Sequence, residues 1–138
     1  MENHHLAEHL GDNYYKNGDD ESSEFYHLDS NDRIDAISRI DDGVQTLIRK
    51  NYGVDSSVPL NIFRHALDHH GRIESDSLQS LGSKKFWQSL PKHFPDAKFQ
   101  AINDDLDKTI DISHEDLVNK EKYIWGNNKH HIRIAIIK

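Results

Sequence analysis

Eleven histidines and no cysteine bound the chemistry open to this 138-residue chain. Thiolate nucleophiles, thiolate metal sites and disulfides are excluded. His65 and His69 stand four residues apart, with Asp68 and His70 beside them. On a helix that spacing puts both imidazoles on one face, the start of a zinc site that still needs a third ligand. The stretch His65-Ala66-Leu67-Asp68-His69 lacks the glutamate of a His-Glu-x-x-His protease motif. A polar helix face gives the same pattern, so no metal is expected, and His65 and His69 are the residues that would hold one. His5 and His9 repeat the spacing in a polar segment.

A second constellation lies near the end of the chain: Tyr123, Trp125, Lys129, His130, His131 and Arg133. On a strand, His131 and Arg133 share a face. Histidine can act as general acid or base, and a neighbouring cation can stabilise a developing phosphorane-like charge. A small toxin-like ribonuclease could therefore use His131, Arg133 and Tyr123. A solvent-facing polar strand edge produces the same alternation. Trp125, beside Gly126, could stack a base or fill a partner's pocket.

Asp104, Asp105, Asp107 and Asp111 lack the glycine and terminal glutamate of an EF-hand loop, and read as a solvated hairpin. There is no phosphate-binding glycine loop, Gly-x-Ser-x-Gly elbow or dinucleotide fingerprint, and no cofactor is expected.

The net charge of −7 is unevenly spread. Residues 1–42 carry 12 acidic and 3 basic side chains, a net of −9, whereas residues 43–138 carry 12 acidic and 14 basic, a net of +2. Such an acidic segment can repel nucleic acid, cover a basic face, meet a basic partner or simply keep the chain soluble. No apolar run approaches the roughly 18 residues that cross a bilayer. Met1-Glu2-Asn3-His4-His5 lacks the basic-then-apolar order of a secretory signal. A small, cytoplasmic, soluble protein without membrane contact is expected.

The elements that would position these residues read as helices first and strands last. Residues 1–30 form an acidic segment expected to be flexible, and 31–138 a single α+β domain. Ile34, Ile37, Ile40, Val44, Leu47 and Ile48 recur at steps of three and four, which predicts a helix with Gly43 inside it. Pro59 opens a second helix that Gly71 ends. A short helix follows Ser75-Asp76, and another carries Phe86, Trp87 and Leu90 up to Pro91. Strands are predicted over 97–102 and 106–112, a Ser113-capped helix start after them, and a closing hairpin of 123–125 with 130–137.

Within residues 44–103 the order is a helix, Val58-Pro59-Leu60-x-x-Phe63, a helix ending at Gly71, Leu78-x-x-Leu81-Gly82, then Phe86-x-x-Ser89-Leu90-Pro91-x-x-Phe94 and a strand at Lys98-Phe99. This resembles the winged-helix pattern of LOTUS domains. The resemblance implies a helix-turn-helix core with a β-wing that binds RNA or a protein partner. Lys84 and Lys85 would lie on its recognition helix, and Asp104, Asp105, Asp107 and Asp111 would make its wing acidic.

The combined expectation is a non-enzymatic binding module with a winged-helix-like core and added hairpins. It would contact nucleic acid, RNA ahead of DNA, or a protein, through Lys84, Lys85, Trp125, Lys129, His130, His131 and Arg133. The alternatives are the ribonuclease above and an acidic immunity or inhibitor protein that blocks a nuclease, with the −9 segment as phosphate mimic. Oligomeric state is left open.

Overall fold

The computed structural model describes residues 7–76, 81–119 and 132–138, and for 81–84, 118 and 119 the backbone alone. It divides into two compact units, Met1–His70 and Gly71–Lys138. The charge follows this division: residues 1–70 hold 14 acidic and 6 basic side chains, a net of −8, and residues 71–138 hold 10 and 11, a net of +1.

The first unit is a five-strand antiparallel meander in sequence order: β1 (Glu8–Gly11), β2 (Tyr14–Gly18), β3 (Ser22–Leu28), β4 (Ile34–Asp41) and β5 (Val44–Lys50). Where a flexible acidic segment is expected, the chain forms β1 to β3. Where a helix is expected over the isoleucine run, it forms β4 and β5. The correction has a physical cause. The sheet buries both faces, so its apolar residues need not alternate simply. Ile37 faces Tyr26 and Leu28 across the ladder, whereas Ile40 opposes Ser23 on the opposite face. The register shift at Asp35 is a bulge that returns Ile34 to the face of Ile37. A step of three thus arises from two-sided burial plus one bulge, and mimics a helical stripe. β-Branched isoleucine also suits a pleated surface. Asp42-Gly43, with φ of 50° and 80°, is the tight hairpin turn that joins β4 to β5.

Helix α1 (Ser57–His70) covers the face that carries Tyr14, Ser23 and Phe25. Asp55 Oδ1 accepts the Ser57 N–H at 2.8 Å, Pro59 sits in the first turn, and Gly71, φ 75°, follows the last residue. Ile62, Phe63, Ala66 and Leu67 are buried at steps of three and four. Burying each large one is worth about 1.5–3 kcal/mol, which anchors the helix to the sheet.

The second unit is an antiparallel sheet in the order β6 (Arg72–Ser75), β9 (Ile132–Ile137), β7 (Lys98–Asn103), β8 (Lys108–Ile112), with α2 (Leu81–His93) and α3 (His114–Asn119). Ile73, Ile136 and Phe99 share a face by register and are buried, as are Ile134, Trp87, Leu90 and Leu117. Ser75 Oγ accepts the Ile134 N–H at 2.9 Å and extends the ladder by one bond. Helix α2 runs through Pro91 to His93. Ser113 caps α3 by accepting the Asp116 N–H at 3.0 Å, as expected from its sequence. A winged-helix core followed by hairpins is therefore not the fold: among the described residues nine strands outweigh three short helices. Of the four helices expected between 31 and 90, α1 and α2 are present, the isoleucine run forms β4 and β5 instead, and the short helix after Ser75-Asp76 falls largely on 77–80, outside the described residues. No described helix is long and apolar enough to cross a membrane.

Candidate functional site

The negative charge of the first unit gathers at one end of the meander. Reversal of direction at each turn puts the β2–β3 turn, Asp19–Glu21, beside the β4–β5 turn, Asp42-Gly43. A hydrogen bond from Asp42 N–H to the Glu21 carbonyl, 2.7 Å, ties the two turns together. Asp19 Oδ1 accepts the N–H groups of Glu21 and Ser22, both at 3.0 Å. Asp41 is the second brace: it accepts from Thr46 Oγ1 at 2.6 Å and from Ser22 Oγ at 2.7 Å, and lies 3.1 Å from Arg39 Nε. The register shift after Arg39 leaves Thr46 as the extra residue of β5, which is how its hydroxyl reaches Asp41.

These bonds hold the carboxylates ionised. Asp19 lies below the usual carboxylate range because backbone N–H groups of Ser22 and Glu21 donate to it. Asp41 is lowered by the hydroxyls of Thr46 and Ser22, with Arg39 adding to them. Asp19, Asp20, Glu21 and Asp42 are exposed. The nearby cations are engaged inside the unit. Arg39 pairs with Asp41, and the buried Lys16 donates from Nζ to the Gly18 carbonyl at 3.3 Å. An open groove of about 150 Å³, lined by Asn17, Gly18, Ser22, Glu24 and Arg39, borders the tip.

Behind the tip, the C-terminal end of α1 is tied to β3 and its preceding turn. His69 Nε2 lies 2.9 Å from Asp20 Oδ1, and His70 Nε2 is hydrogen-bonded to Ser23 Oγ at 3.1 Å. At the other end of the helix, the bulge at Asp35 directs its carboxylate to His27 Nδ1, 2.7 Å away. The Tyr14 ring lies against the rings of His27 and His65, and Asn61 donates to the Tyr14 hydroxyl at 3.1 Å. His65 lies against Tyr14 and His69 against Asp20, and among the described residues no group of three or more His, Asp or Glu is placed to hold a metal.

The residues picked out from the sequence are dispersed. Tyr123, Trp125, Lys129, His130 and His131 lie outside the described residues, as does the Lys84 side chain; Lys85 is exposed on α2. Arg133 is on β9 as predicted, but it is caged. Its guanidinium donates to both oxygens of Asp104, at 2.8 and 2.9 Å, and to Glu74. The Asp104 and Glu74 carboxylates, against partial burial, raise its affinity for the proton further. Arg72 also meets Glu74 at 3.2 Å and Gln100 at 2.8 Å, and Gln100 donates to Asp111 at 3.0 Å. Strands β6, β9, β7 and β8 thus carry a polar ladder in which Glu74 and Asp104 are the counter-ions of Arg133, and Asp111 accepts from Gln100.

The tip itself escapes the sequence reading, although Asp42-Gly43 is a hairpin signal and would have located half of it. No known family model, curated protein or solved structure matches the chain.

Proposed function

We propose that the protein is a non-enzymatic binding module whose acidic tip docks on a basic protein surface. The observation that carries this reading is the bond between the two turns, Asp42 N–H to Glu21 O, which fixes exposed Asp19, Asp20, Glu21 and Asp42 on one rigid platform. A preorganised set of carboxylates accepts lysine and arginine side chains without losing much entropy on binding, and it steers a cationic partner over distance. The same charge repels phosphate. Arg133, one of the cations expected on a nucleic-acid face, is already paired with Asp104 and Glu74. The kind of surface that fits is the phosphate-binding face of a nuclease or other nucleic-acid enzyme, which is basic by necessity, so the module acts as an inhibitor.

The test is fluorescence anisotropy with labelled octa-arginine peptide, single-stranded RNA and duplex DNA, at about 50 and 200 mM salt, where screening differs most usefully. The intact chain is compared with the triple variant Asp20→Asn, Glu21→Gln, Asp42→Asn, whose substitutions keep hydrogen-bonding capacity and turn conformation. Expected is salt-sensitive binding of the peptide alone, weakened about tenfold or more in the variant, since three partly screened charges at about 0.5 kcal/mol each are lost. Tighter binding of RNA than of peptide, or an unaffected variant, refutes the reading.

A further inference from the structure

We infer that His69 and His70 form a proton-operated latch between the C-terminal end of α1 and the acidic tip, closed when His70 is neutral and opened when it is protonated. The two imidazoles meet edge to face with centroids 4.8 Å apart, and each has its own anchor on the strand side: Asp20 for His69, Ser23 for His70. Both lie against the Phe25 ring, at 6.1 and 5.9 Å, and that ring is buried. His69 faces the exposed Asp20 carboxylate. A proton on the half-buried His70 meets the apolar Phe25 ring and neighbouring positive charge.

Among the described residues, groups that face His70 come from four elements. On α1 there is His69; on β2 the buried Lys16; in the β2–β3 turn Asp20; on β3 Ser23 and Phe25. The residues of β4 and β5 that continue this face by register, Ser38, Ile40, Gln45 and Ile48, carry no charge, and Lys50 is opposite Ala36 at the far end. His69, Lys16 and an apolar ring therefore oppose a proton on His70, and one carboxylate, already paired, favours it. Burial first, and His69 next, hold His70 below the ordinary imidazole value of 6.5, while Asp20 pulls the other way. An opened helix end takes the proton at the ordinary value. The latch is thus fully closed above pH 6.5 and loosens as the pH falls from there, until the pH passes the depressed value of the closed state.

Opening frees Asp20 and the turn that carries it, so acid would soften the platform on which the proposed docking depends; that consequence rests on the reading above, whereas the latch does not. Amide hydrogen exchange of the intact chain, without partner, tests it at pH 7.5 and 5.0 after correction for intrinsic rates. Protection of residues 66–70 and 19–23 is expected to fall by up to about tenfold per pH unit across the window, relative to Phe25 and Ile37 in mid-sheet. In His70→Gln, which keeps a donor for Ser23 but cannot titrate, protection should stay level. Equal loss in that variant, or no selective loss in the native chain, overturns the latch. Should the variant not fold, the ring nitrogens of the native protein decide: His70 titrating at or above 6.5 also overturns it. Peptide binding at pH 7.5 is unaffected by either result, so the two readings fail separately.

Discussion

Arg133→Met separates a structural clamp from a binding cation. Methionine preserves most of the apolar stem, so the loss measures the guanidinium. Two contributions disappear. The bidentate pair with Asp104 involves a carboxylate that is 44% exposed, and solvent screening limits it to about 0.5–1 kcal/mol. The pair with Glu74 is drier, at 19% and 25% exposure, and a hydrogen bond to a charged group of this kind contributes about 1.5 kcal/mol. Breaking a fully buried pair would cost about 3–5 kcal/mol, but Arg72 remains 3.2 Å from Glu74 and keeps that carboxylate from being orphaned. The sum is about 2 kcal/mol, or a fall in melting temperature of roughly 6–10 °C for a chain of this size. Urea unfolding of Arg133→Met, Glu74→Gln, Asp104→Asn and the paired doubles gives the couplings directly, and about 1 kcal/mol is expected for Arg133 with Glu74. A single-variant loss under about 0.5 kcal/mol, with coupling near zero, would show Arg133 to be free for a ligand and refute the clamp.

Two glycines and a set of turn aspartates supply the remaining predictions. Gly43→Ala meets no atom within 4 Å and costs only its positive φ, about 1 kcal/mol, whereas Gly18→Ala drives its Cβ into the Ser22 carbonyl and should destabilise the tip by clearly more. Equal urea midpoints for the two variants would contradict that contrast. Asp29 and Asp55, like Asp19, accept backbone N–H bonds at turns and sit below the ordinary value of 3.8. Their depressed values mean that the unfolded chain protonates first, so their contribution is present above pH 3.8 and disappears as the pH falls through the folded values. The urea midpoint should therefore drop steeply below pH 4, less so in Asp29→Asn, which keeps its oxygen acceptor but does not titrate; an unchanged slope would contradict this.

By itself the sequence determined the features that depend on neighbours in the chain. The helix with Pro59 in its first turn and Gly71 after its end, the Ser113 cap, and the strands near 98–103 and 108–112 are local hydrogen-bonding and φ preferences, and all are present. So is the charge asymmetry, which needs only counting. What failed was the reading of period. Ile34, Ile37 and Ile40 look helical because a chain that is buried on both faces and bulged at Asp35 has no simple alternation, and only its partners, β3 on one side and β5 on the other, reveal the strand. The acidic residues changed meaning in the same way. Asp19, Asp29 and Asp41 belong to the segment read only as acidic charge, yet each is a hydrogen-bond acceptor that closes a turn or braces a tip, and Asp55 caps a helix. Arg133 read as a free cation until β6 and the β7–β8 turn brought Glu74 and Asp104 to it from 59 and 29 residues away. The pairing of Asp20 with His69 and of Ser23 with His70, 49 and 47 residues apart, is likewise a product of the fold. Local propensity is written along the chain, but which charges meet is decided by strand order, and strand order is a property of long-range pairing.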